Sequence, residues 1–129
     1  MNRLILLFLG ISTTLFCQTN TEIHVFDILL DDENYLLKNG KNISNNEGYD
    51  SQPYFYDLEK ILYASNRNGN TEIVLTNINS APKTANIRSS TPNGGEYSPQ
   101  KIPNSSHFSA VRLDNDIELL HCLGALYKI

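Results

Sequence analysis

At 129 residues and a formal net charge of −4, the chain makes one modest domain, and its scattered charges form no basic stripe of the kind nucleic acid demands. Sixteen Asn and eleven Ser, with no Trp, point to a chain of many turns. The only cysteines are Cys17 and Cys122, which excludes a four-cysteine zinc site and, if Cys17 is removed with a leader, any internal disulfide.

Residues 1–17 (MNRLILLFLGISTTLFC) place Arg3 ahead of an apolar run from Leu4 to Leu9, followed by small polar residues and then by Gln18. A positive start, a short apolar core and a polar exit read as a secretory signal. The run is about half the length that spans a bilayer, so no membrane span is expected. Phe16, where lipoprotein processing wants a small residue, argues against a lipid anchor on Cys17. The mature part is then residues 18–129, exported to the periplasm or secreted. Removal of 1–17 takes one of ten basic residues and none of fourteen acidic ones, leaving −5.

Beyond the leader no stretch keeps a 3.6-residue apolar period for three turns. The apolar runs are short and bounded by Asn, Gly, Pro and Ser, at 22–29 (EIHVFDIL), 60–65 (KILYAS), 71–78 (TEIVLTNI), 107–113 (HFSAVRL) and 117–123 (IELLHCL). These lengths and flanks predict strands and an all-β fold. Asp31-Asp32-Glu33 reads as a solvated loop. Between 61–65 and 71–75, Asn68-Gly69 supplies two residues that tolerate φ > 0, the demand of a tight hairpin. Asn66, Asn68, Asn70 and Glu72 lack the carboxylates and spacing of a calcium loop, so the turn reading stands.

Repeats suggest the architecture. Thr21-Glu22-Ile23 recurs as Thr71-Glu72-Ile73, Tyr49-Asp50-Ser51-Gln52-Pro53 is echoed by Tyr97-Ser98-Pro99-Gln100, and Glu72-Ile73-Val74-Leu75 by Glu118-Leu119-Leu120-His121. Offsets of 50, 48 and 46 residues match a unit of about four short strands, the size of a propeller blade. One unit would run inward to outward through 51–56, 60–65, 71–78 and a weak strand at 84–90.

The stretch YDSQPYFYDLEKILYASNRNGNTEIVLTNI resembles the WD-like repeat of TolB-like β-propellers, above all the secreted Bacteroidetes type. Gln52-Pro53 and Phe55 match the opening, Ile61-Leu62-Tyr63 the strand, Ser65, Arg67 and Gly69 the second turn, and Glu72-Ile73 the Glu-Ile pair after that turn. Gly95-Glu96-Tyr97-Ser98-Pro99 and 107–112 keep the pattern more loosely. The similarity fades after Asn115-Asp116, and HCLGALYKI does not read as blade. The resemblance implies a partial propeller of roughly two four-stranded antiparallel blades, with a stray strand pair at the N-terminal side. Closed propellers use about four to eight blades, so a fragment of a longer propeller and self-association through open blade edges are both expectations.

No Gly-x-Ser-x-Gly elbow occurs, and His24, His107 and His121 lack metal-ligand spacing. No enzyme activity, metal or cofactor is therefore expected. The loops entering the inner strands are the expected binding surface for a protein or cell-envelope partner, with Tyr49, Asp50, Glu96 and Tyr97 as candidate contact residues. Two alternatives are an accessory propeller of an exported peptidase or polysaccharide lyase whose catalytic part lies elsewhere, and a truncated fragment without function.

Overall fold

A computed structural model describes residues 20–79, 86–89 and 94–114, and the backbone of a strand at 122–128. The strands are β1 (His24–Asp31), β2 (Asn34–Asn42), β3 (Asp50–Phe55), β4 (Lys60–Arg67), β5 (Asn70–Asn77), β6 (Asn86–Ser89), β7 (Gly95–Lys101), β8 (His107–Leu113) and β9 (Cys122–Lys128). They form three antiparallel sheets, ordered β1-β2, β3-β4-β5-β6 and β7-β8-β9, each a simple meander. The described residues contain no helix.

The β4–β5 hairpin forms because its turn residues accept the geometry it needs. Asn68 and Gly69 have φ of 52° and 89°, and Arg67 faces Asn70 across a two-residue loop. Both positive angles match the twist of the flanking strands. The acidic triplet also sits at a hairpin end, with Asp31 closing β1 and Asp32-Glu33 forming the exposed turn into β2.

The middle sheet carries the core because β4 and β5 are apolar on both faces. Leu62, Ala64, Ile73 and Leu75 pack with Phe108 and Ala110 of the third sheet. Ile61, Tyr63 and Val74 point the other way and pack with Ile23 and Ile43. Each aliphatic side chain so buried contributes about 1.5–3 kcal/mol. The strand β7 of the third sheet lies against β3, β4 and β5, completing the contact made by Phe108 and Ala110.

The inner strands β3 and β7 repeat at an offset of 46 residues. Gly48 and Gly94 precede them with φ of 111° and 121°. Both strands bulge, between Ser51 and Tyr54 and between Tyr97 and Gln100. In each bulge the residue before proline has left the usual backbone region, Gln52 at φ 56° and Ser98 at 50°. The Gln52 side chain accepts a 2.8 Å hydrogen bond from the Ser98 N–H, joining the two equivalent positions.

This register corrects two expectations. Tyr49 is equivalent to Gly95 and not to Tyr97, because the paired glycines and prolines align at 46 and not 48. The segment HCLGALYKI, expected to lie outside any blade, supplies β9, which pairs with β8 from His107↔Lys128 to Leu113↔Cys122. The open edge of β8 sets that strand. The echo at 118–121 lies outside the described residues, and Cys122–Lys128 holds the third-strand place.

Candidate functional site

A polar cleft lies where the N-terminal segment meets the start of β3. Asn20, Glu22, Asn45, Asn46, Glu47 and Arg67 line a cleft of about 570 Å³. Three pieces of chain build it: residues 20–22 before β1, the loop 43–49 between β2 and β3, and the end of β4 at the hairpin turn.

Local hydrogen bonds hold these pieces together. Asn42 Oδ1 accepts from the N–H groups of Ser44 and Asn45 at 3.1 and 3.0 Å, a side-chain-closed turn that starts the loop. Arg67 Nη1 donates to Asn46 Oδ1 at 2.9 Å, and Asn46 Nδ2 to the Asn66 carbonyl at 3.3 Å. Residues 20 and 21 clamp the entry to β3: Gly48 N–H donates to Asn20 Oδ1, Thr21 N–H to the Gly48 carbonyl, and Asp50 N–H to Thr21.

Beneath the cleft lies a buried polar cluster of Ser44, Asp50, Tyr63 and Ser65. Ser44 Oγ donates to Glu22 Oε2 at 2.6 Å, and Ser65 Oγ donates to Asp50 Oδ1. Burial pushes the Asp50 carboxyl above its ordinary value, only partly offset by the Ser65 and Ser44 hydroxyls and the Arg67 charge. Burial pushes Glu22 the same way, but hydrogen bonds from Ser44, Asn42 and the backbone of Asn46 and Asn45 outweigh it and hold the carboxyl below its ordinary value. Burial, helped by the Asp50 charge, raises the Tyr63 hydroxyl to about 12. Asp50 Oδ2, the Tyr63 hydroxyl and Arg67 Nη2 have no hydrogen-bond partner of good geometry among the described residues.

The four expected contact residues fall in two places. Asp50 and Glu96 occupy equivalent positions, and both are buried. Tyr49 is half-buried and packs on the core beside Leu62 and Phe108, while the Tyr97 ring lies over Gly95. Only Asp50 adjoins the cleft. Of the loop 47–51, expected from the sequence to line a binding face, Glu47 does line the cleft; Glu22, Ser44, Asn46 and Arg67 were missed, because they come together only through the loop 43–49.

The junction has a counterpart one unit on. Ile23 N–H donates to buried Ser44 Oγ at 3.0 Å, and Ile73 N–H to buried Ser89 Oγ at 3.2 Å. Thr21 bonds the entry to β3, and Thr71 lies close to Gly95 at the entry to β7. The Thr-Glu-Ile echo therefore marks a contact between successive units. The remaining signal was a pair of serines 45 residues apart, Ser44 and Ser89.

Both cleft-side serine hydroxyls are engaged as donors to carboxylates. His107, the nearer match to a Ser–His pair, bonds Ser105 Oγ through Nδ1 at 2.7 Å within the β7–β8 loop, and the same Oγ accepts the His107 N–H. Comparison with protein-family models, with curated proteins and with solved structures finds no match. Among the described residues, no helix is long and apolar enough to cross a membrane.

Proposed function

We propose that the chain is an exported, non-catalytic β-propeller repeat protein of TolB-like type, which binds a protein or envelope partner at the polar cleft. The observation that carries this reading is the repeated arrangement of the sheets: Ile23–Ser44 and Ile73–Ser89 make the same bond inside successive sheets, and Thr21 and Thr71 each reach the entry to the first strand of the next, β3 and β7. A stack of meander units joined the same way at each step is what a blade array requires. The cleft supports the binding role, since six planar polar side chains present donors and acceptors from three chain segments. Serines committed to carboxylates support a site that holds a partner without turning it over.

A photo-crosslinking residue at Asn45, which is exposed on the cleft rim, tests both halves in cells. The expected product is one discrete adduct with an exported or envelope protein, lost when Arg67→Ala removes the bond that holds Asn46. Retention of the chain in the cytoplasm would overturn the export reading. An adduct indifferent to Arg67→Ala would overturn the cleft.

A further inference from the structure

The first sheet carries most of the exposed large apolar side chains among the described residues. Among these residues it has only two strands, β1 and β2, and none of them adds a main-chain partner along the other edge of β1. One face of this hairpin is apolar and open: Ile28 lies opposite Leu37 and Leu30 opposite Tyr35, and all four are between 63% and 74% exposed. Beside β1 runs an apolar groove of about 230 Å³, walled by Phe26, Ile28 and Leu37 on one side and by Pro53, Phe55 and Ile61 on the other. Consecutive residues of β1 and its approach, from Ile23 to Phe26, line it, so it follows the strand's edge and not a single face.

The repeat states what belongs there. Ile23 and Ile73 make the same bond to a buried serine, and β2 stands to β1 as β6 stands to β5. The opposite edge of β5 is filled by β4, antiparallel and in register from Lys60↔Asn77 to Arg67↔Asn70. That occupant is extended and apolar on both sides, with Leu62 and Ala64 facing one way and Ile61 and Tyr63 the other.

We propose that the open edge of β1 and its groove form a strand-addition site for a partner polypeptide. The occupant is an extended segment running antiparallel to β1, with apolar side chains on both faces over about five residues. Main-chain bonds to β1 provide attachment, and the groove selects the side chains. The site is separate from the polar cleft and does not depend on that reading.

The test uses the full chain and a fluorescein-labelled octapeptide with the sequence of β4, KILYASNR. Fluorescence anisotropy should show saturable binding, and hydrogen exchange should slow at the amides of β1 when the peptide is bound. A peptide with proline in place of its leucine, KIPYASNR, should bind at least tenfold more weakly. Ile28→Asp and Leu37→Asp, at groove residues 65% and 63% exposed, should weaken binding tenfold or more while the melting midpoint stays put. Absence of saturable binding, or binding that ignores both the substitutions and the proline, overturns the proposal. So does a concentration-dependent dimer that blocks the peptide, because the edge then belongs to a second copy.

Discussion

The buried polar cluster gives single residues opposite effects on stability. Tyr63 has its hydroxyl raised to about 12 from 10.0, so the folded state favours the protonated form. Its contribution is complete below pH 10 and is lost as pH rises toward 12, a difference of about 2–3 kcal/mol. Tyr63→Phe should change stability at pH 7 by less than about 1 kcal/mol, since the hydroxyl lacks a well-aligned partner. It should also remove the alkaline loss, which urea midpoints at pH 7 and pH 11 would show. Asp50 follows the same sign at the acid end. A raised carboxyl stabilises while protonated, below its ordinary 3.8, and progressively less as pH rises through its folded value. Asp50→Asn should therefore flatten that part of the pH–stability curve, and a curve as steep as the parent's would contradict the assignment. Glu22, held low, works in the other direction and loses its contribution as pH falls.

At the scale of elements, Gly94, which opens β7, differs from the glycine in the hairpin. At Gly94 an added Cβ would land on the Leu113 carbonyl oxygen, while at Gly69 it meets nothing within 4 Å. Gly69→Ala should cost about 1–2 kcal/mol for its backbone angle alone, and Gly94→Ala distinctly more, by thermal unfolding. Gly40 is a separate case, because a Cβ there would press on the Phe26 ring at 2.5 Å. Ser44→Ala and Ser89→Ala each leave an isoleucine N–H without its acceptor and should each cost about 1–3 kcal/mol. Unequal costs, with one near zero, would mean that the pairs β1–β2 and β5–β6 are not equivalent. Much of this architecture is legible in the residues themselves. Asn68-Gly69 marks the β4–β5 hairpin, and the Thr-Glu-Ile echo marks the junction. Hidden from the sequence is whatever depends on the partner strand and not on local chemistry. The open edge of β8 makes β9 out of Cys122–Lys128, and β3 and β7 align at 46 residues, where the tyrosine echo suggests 48. The cleft residues are hidden for the same reason, since only the folded loop brings Asn46 to Arg67.

For the molecule as a whole, stability should be graded from the middle outward. The central strands β4 and β5 are covered on both faces, whereas the hairpin β1–β2 exposes Ile28, Leu30, Tyr35 and Leu37. Amide exchange should be slowest in β4 and β5 and fastest in β1 and β2. Leu62→Ala should cost about 2–5 kcal/mol, and Leu30→Ala, at an exposed site, well under about 1. Equal protection across the three sheets would show one indivisible unit instead of a stack.

The clamp that residues 20 and 21 place on Gly48 and Asp50 bears on the order in which the chain can fold. Asn20 and Thr21 leave the ribosome, or a translocation pore, well before their partners, which come 28 and 29 positions later. Until then they have nothing to bond, and the loop they must close has a real entropic cost. The hairpin β1–β2, made of near neighbours, can form in that interval and carry its open apolar face unshielded. Crowding or delay during this interval would fall on one short stretch of chain, and the arrival of Asp50 would end it.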